Sequence, residues 1–527
     1  MSSSANIEPK EVVSETQQFR SQVGHISRHS GVLVAGTIFS VALGYVFKIY
    51  LARVLGPEAL GLYALGFTLA GFVSVFNSLG LVEAAVRFAA VYRAAQQWER
   101  LRALLWRGAA ILMVANLVCA ALFMTLGKVV ALRFYHSPAL VPYLPWFAAV
   151  MVLGVISTFY GRILAGYREI GRRTVIVSFI GSPVNMFLAV LLISLRWGLR
   201  GYIFANIAST ALVIALMLAA IWKLTPPEAR FSMRLPPALQ PEVWSFSATA
   251  VGVLLLEFLS GHVDKIALGY YLGARDVGIY AVAAAVVAYI SLVLNSVNQV
   301  FSPMIADLHT RKDFVMLGRL YKALTKWVLG LTLPMAITVM VFARPFMRIF
   351  GHDFEAGWPI LIIGTAGQLV NCGVGSVGLI LMMSGNQRRL LRVQASMVVV
   401  MVLVNVMLVP IWGILGAAIA AALTNVGSNL WNLYEVRKNL GFTPYSRSYV
   451  RLLVPTSAVV LVALFAKYEA AVFRWDWLAI AVTLLLTYCI FAGISLAFGL
   501  DDDDRLIATA MWSKIHRPVP PLKGIDS

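Results

Sequence analysis

The chain has 527 residues, of which 60% are hydrophobic and 13% charged, with a mean hydropathy of +0.81. So much apolar surface behind so little charge excludes a soluble globular protein of this length. The formal net charge of +19 would suit nucleic acid, but the basic residues are spread between apolar runs in a pattern that encodes membrane topology, so no nucleic-acid partner is expected.

Residues 1–30 are polar, with Glu8, Lys10, Glu11, Glu15 and Arg20, and lack the apolar core of a signal peptide. They are expected to form an unstructured cytoplasmic tail. Fourteen apolar runs follow, at 31–53, 57–80, 107–127, 143–165, 174–195, 200–223, 245–272, 277–300, 325–346, 357–384, 391–411, 414–436, 451–467 and 476–499. Each is near the length of about 20 residues that crosses a bilayer core. They lack the alternation of barrel strands, so the spans must be helices, which close their own backbone hydrogen bonds. With the N-terminus inside, the alternate loops, both tails and the adjoining helix ends hold about 31 of the 43 Lys and Arg, a strong positive-inside bias. Both termini, including the tail 500–527, are therefore expected in the cytoplasm. Anionic membrane lipids are secondary partners of the same charge.

The chain repeats itself. Residues 44–64, GYVFKIYLARVLGPEALGLYA, align without a gap on 261–281, GHVDKIALGYYLGARDVGIYA, and 10 of the 21 positions are identical. Trp197-Gly198, Gly201 and Ala205 return as Trp412-Gly413, Gly416 and Ala420. This self-similarity divides the chain into an N-lobe, 31–223, and a C-lobe, 245–436, of six spans each. Six is even, so equivalent helices run in the same direction and the copies should be related by an axis along the membrane normal. The proline-rich join 224–244 reads as a cytoplasmic linker. Two further spans, within 451–499, have no counterpart. Segments 81–106 and 301–324 occupy equivalent cytoplasmic places. Both mix apolar and basic residues at helical spacing, which suits helices lying at the membrane interface. The expected fold is therefore an all-α polytopic membrane protein of about fourteen transmembrane helices.

Charge within the spans marks candidate function. The seventh span carries Glu257, His262, Asp264 and Lys265; at 100° per residue Glu257 and Asp264 fall about 20° apart. The first span carries a stripe of Thr37, Ser40, Gly44 and Lys48, in which Gly44 and Lys48 match Gly261 and Lys265. Lys48 and Lys265 are candidate anion contacts, Glu257 and Asp264 candidate ion-coupling carboxylates. The bland alternative is that the lysines snorkel to the interface and Asp264 merely neutralises one of them. Asn295, Asn298, Gln299, Gln368 and Asn371 either line a path or make interhelical hydrogen bonds. Glycines at 364, 367, 373, 375 and 378 suit close packing or bending of the tenth span. Cys119, Cys372 and Cys489 lie in spans without a metal-ligand spacing, so neither metal nor cofactor is expected. No Gly-Lys-Ser/Thr phosphate loop is present, and the outer loops are short, so the chain is not expected to be an enzyme.

LARVLGPEALGLYALGFTLAGFVSVFNSLGLVEAAVRFAA, DKIALGYYLGARDVGIYAVAAAVV and FSPMIADLHTRKDF resemble segments of polysaccharide-transport flippases. These form the oligosaccharidyl-lipid branch of the superfamily that includes multidrug extruders and lipid II flippases. The resemblance, over roughly residues 30–500, implies two six-helix bundles around a central cavity with alternating access. It implies a polyprenyl-diphosphate-linked glycan as cargo in the cytoplasmic membrane, coupled to a proton or sodium gradient. Lys48 and Lys265 match in kind the cationic residues that such proteins turn toward the diphosphate. Asp264 stands where an acid is common. A multidrug extruder of the same fold, a lipid II flippase and, less readily, a membrane enzyme of polysaccharide assembly are the alternatives.

Overall fold

The computed structural model describes residues 9–230, 237–445, 447–470 and 476–497, with side chains from Leu43 onward except at 229, 300, 447, 448, 470 and 476. The tail 500–527 and residues 231–236 of the linker lie outside the described residues. Among those described, every regular element is helical, as satisfaction of peptide groups in lipid requires. The helices that matter below are α1 (Pro9–Asn77), α2 (Leu81–Ala94), α3 (Trp98–Phe134), α4 (Pro138–Gly166), α5 (Ile170–Ser194), α6 (Gly198–Leu224), α7 (Pro241–Tyr271), α8 (Ala274–Ile290), α9 (Leu292–Thr310), α10 (Phe314–Val341), α11 (Ala343–Arg348), α12 (His352–Val374), α13 (Val377–Met383), α14 (Gln387–Trp412), α15 (Ile414–Leu440), α16 (Leu453–Ala470) and α17 (Asp476–Ala497).

Among the described residues twelve helices are long and apolar enough to cross a membrane, and the bent pair α8–α9 makes a thirteenth. α1 counts once in that tally, yet Gly56 breaks it at φ 77°, ψ 174°, a left-handed conformation that favours glycine. Dividing α1 there restores the fourteen runs of the sequence. Gly273, the equivalent residue of the second copy, separates α7 from α8 in an extended conformation. The repeated Leu-Gly pair is thus the turn between two spans in both copies. The described backbone of the segment expected to be unstructured, 9–30, is helical.

The chain divides into two compact units. The first holds residues 1–55, 69–133 and 138–255. Its core sets Leu81, Ala84, Ala85, Phe88 and Ala89 of α2 beside Ile156, Phe159, Ile163 and Leu164 of α4, and includes Val243 at the start of α7. A Cβ on Gly166 would lie 2.7 Å from the Val86 carbonyl oxygen, so the absent side chain lets α2 and α4 approach closely. This corrects the expectation for 81–106: the apolar face of α2 is buried in protein rather than laid in the interface. The equivalent segment 301–324 is not a separate helix. Its first part extends α9 and its second opens α10, because Phe301, Ile305, Leu317 and Tyr321 are buried together.

The second unit holds 56–68, 134–137 and 256–527. Each unit therefore takes in a segment from the other copy of the repeat. Here the tenth span is broken: α12 ends at Gly375 (φ 76°, ψ −149°) and α13 resumes at Val377. The break is covered by protein. The Tyr321 hydroxyl donates to the Val374 carbonyl (2.6 Å) and the Ser376 hydroxyl to Asn298 Oδ1 (2.5 Å). The equivalent fourth span runs unbroken over Leu144–Gly166. Gly364 and Gly367 serve packing, against Val287 and Ala422; among these glycines Gly375 alone has a positive φ. A Cβ there would overlap the Thr325 hydroxyl and lie 2.8 Å from its methyl carbon. Gly375→Ala should therefore lower stability by about 2 kcal/mol. Gly378→Ala, whose Cβ would meet Leu390 at an ordinary 3.7 Å, should cost nothing measurable. Thermal unfolding of purified protein in detergent compares the two.

Candidate substrate-handling site

α7 places the polar residues of the seventh span in different surroundings. Asp264 is buried, at 7% exposure. Its Oδ1 accepts the Lys265 backbone N–H at 2.8 Å, and the Tyr280 hydroxyl of α8 lies beside the same carboxylate. A buried carboxylate needs such donors to offset desolvation. The Lys265 side chain is 22% exposed. Its ammonium donates to the Gly261 carbonyl one turn back at 3.0 Å and stands 3.9 Å from Asp264 Oδ1. Asp264, Lys265 and Tyr280 thus form one linked polar group inside the second unit.

Glu257, two turns toward the start of the same helix, is exposed. Among the described residues it takes part in no ion pair. Its difference from Asp264 arises from α8, whose Tyr280 reaches the Asp264 level. His262 is half-buried, stacked on Phe258 with ring centroids 4.4 Å apart, and its Nδ1 meets the Phe258 carbonyl at 3.0 Å. Its own helix accounts for both contacts.

Lys48 lies exposed on α1 in the first unit. The residue before it, Phe47, stands where the second copy has Asp264, and packs beside Tyr50 and Tyr202. The two lysines are equivalent in the repeat but not in setting. The side chain of Ser40 lies outside those described. Asn295 and Gln299 are exposed on α9. Gln368 and Asn371 bond to one another, Nδ2 of Asn371 donating to Oε1 of Gln368 at 3.0 Å.

Sequence reasoning missed two polar contacts. Tyr280 belongs to the repeated Gly-x-Tyr-Ala motif, so its signal was present as a landmark without an assigned partner. The buried pair Asn77–Asn116, joined at 2.8 Å with Asn116 donating onward to the Leu112 carbonyl, carries no repeat signal, because neither residue returns in the second copy.

Known structures share this arrangement of helices. A lipid II flippase, MurJ, in an inward closed conformation aligns at a TM-score of 0.68 with 14% identity, covering 88% of this chain and 98% of that one. An inward-facing multidrug-resistance MATE transporter aligns at 0.62 with 15% identity, over 75% and 94%. Helical and duplicated, the chain is a multi-pass membrane protein with the fold shared by both. A family model described as polysaccharide biosynthesis protein matches residues 26–309, more than half of the chain, and the chain belongs to that family; the MatE model matches 250–412. The succinoglycan biosynthesis transport protein ExoT of Rhizobium meliloti (strain 1021) is 25% identical over 345 residues, spanning 64% of this chain and 65% of that protein.

The Tyr280–Asp264 contact can be weighed directly. Tyr280→Phe removes the hydroxyl beside the buried carboxylate and keeps the ring, so it should cost about 1–3 kcal/mol. Once Asp264→Asn has removed the charge, the same change should cost clearly less, a coupling that a double-mutant cycle of unfolding free energies would read.

Proposed function

We propose that the protein carries a polyprenyl-diphosphate-linked glycan across the cytoplasmic membrane by alternating access, coupled to a proton or sodium gradient. The observation that carries this reading is a lysine at the same place in both copies, Lys48 and Lys265, within spans of a polysaccharide biosynthesis family member. A diphosphate with its sugars cannot enter hydrocarbon unaided, since every charge and unpaired hydroxyl is costly there. Fixed cations and polar groups replace the lost water, while the prenyl tail stays in lipid. The orientation consistent with this role puts both termini and the 224–244 linker on the cytoplasmic side. Nothing in the reading calls for a chemical step on the glycan.

The different settings of the lysines divide the work between them. The Lys265 side chain is only 22% exposed beside Asp264, whereas Lys48 is open to an approaching anion. Lys48→Ala should therefore reduce translocation more than Lys265→Ala, and Lys48→Arg should retain more activity than the alanine variant because the charge stays. The measurement is translocation of lipid-linked oligosaccharide in proteoliposomes at matched protein abundance. Full activity of the double alanine variant would make both lysines interfacial anchors. Export of organic cations with no translocation of lipid-linked glycan would make the protein a drug extruder, and translocation of lipid II alone would narrow the cargo to that lipid.

For coupling, exposed Glu257 is the better placed carboxylate, because Asp264 is committed to Tyr280 and Lys265. Glu257→Gln keeps the shape and removes the titration. It should leave cargo binding intact and abolish the response to an imposed proton or sodium gradient. A variant that still responds moves the coupling role elsewhere.

A further inference from the structure

The two copies of the Gly-x-Tyr-Ala motif touch each other. Gly61 and Gly278 are equivalent under the shift of 217 that aligns the repeat, and so are Pro57 and Ala274. A Cβ on Gly61 would overlap the Ala274 carbonyl and lie 3.0 Å from the Gly278 nitrogen. A Cβ on Gly278 would overlap the Pro57 carbonyl and lie 2.9 Å from the Gly61 nitrogen. Each glycine thus faces the residue equivalent to the other's partner, the reciprocal pattern of a contact on a two-fold axis. All four residues belong to the second unit. Only hydrogen fits at either glycine, so the first turns of the helix from Pro57 and of α8 meet backbone to backbone. Among the described residues no conventional hydrogen bond joins them. Close packing of backbone on backbone holds them, a seam that can part without leaving a donor unsatisfied.

The same helix makes a second contact with the C-terminal copy beyond its other end. Gly80 (φ 65°) lies against α7, where a Cβ would overlap the Ser247 carbonyl oxygen and lie 2.7 Å from its carbon. These residues belong to the first unit, beside Phe88, which meets Phe246 edge-on at 6.1 Å. About sixteen residues of helix, roughly 24 Å at 1.5 Å each, separate Gly61 from Asn77. That is most of a bilayer core.

We propose that the Gly61–Gly278 crossing is the outer gate of the transporter and the Gly80–Ser247 contact its inner gate, and that the two part in alternation. The proposal rests on the alternating-access reading and its topology, and not on the identity of the cargo. A methyl group at either glycine spoils one seam and leaves the other intact, so Gly61→Ala favours opening outward and Gly80→Ala favours opening inward.

The test uses the full-length chain with its three cysteines replaced and a reporter cysteine at exposed Ser260, one turn from Glu257 on α7. A membrane-impermeant thiol reagent is applied from either face of oriented vesicles, with no cargo present. Gly61→Ala should raise labelling from the outer face roughly tenfold relative to the inner face, and Gly80→Ala should do the reverse. If an alanine variant does not fold, cysteines at Glu58 and Arg275, both exposed and each one residue past a contact residue, are joined by a bifunctional thiol reagent. The joined protein should lose outer labelling and translocation together, and recover both when a cleavable linker is reduced. Unchanged sidedness in folded variants, or full translocation by the joined protein, would overturn the gates. Correct sidedness without glycan translocation would keep the gates and reject the cargo.

Discussion

Hydrocarbon offers a peptide group no hydrogen-bond partner, and everything in this architecture follows from that constraint. The chain answers it with helices, and departs from them in its spans and tight turns only under local conditions. At Gly56 the backbone turns with a left-handed glycine between two spans. At Gly375 it breaks inside a span, where the Val374 carbonyl accepts from Tyr321 and the Ser376 hydroxyl donates to Asn298, both on neighbouring helices. Charge obeys the same rule. Asp264 is tolerated in the interior because a phenol, a backbone amide and a lysine surround it, while the Phe47 that replaces it in the first copy needs none of these.

The sequence made the helical class and the number of runs legible because lipid removes most other choices. Even the break in α1 was readable, since the Leu-Gly pair interrupts both copies at the same place. The fate of the amphipathic segments was not. Apolar residues at helical spacing look the same whether the face meets lipid or another helix, and only the partners of Phe88 and Phe301 decide it. The candidate site was legible as a list of charges but not as an arrangement. A projection of α7 puts Glu257 and Asp264 on one side; the reach of Tyr280 from α8 separates them into an exposed and a buried carboxylate.

Duplication supplied two similar frames, and divergence gave them different side chains. One copy keeps a lysine beside an aromatic residue, the other a lysine beside an acid. One carries a continuous fourth span, the other a tenth span broken at Gly375. An exact two-fold arrangement would present the same chemistry twice; this one sets a lysine beside an aromatic ring on α1 and a lysine beside a carboxylate on α7.

The reciprocal glycine contact also imposes an order on biosynthesis. Gly61 leaves the ribosome 217 residues ahead of Gly278. At roughly 5–20 residues per second the gap is on the order of 10–40 s. Throughout that interval the bare backbone seam of the second span has no matching helix from its own chain. The nascent protein must therefore hold this hairpin in the membrane unpaired, beside lipid or the insertion machinery, until the eighth span arrives to cover it.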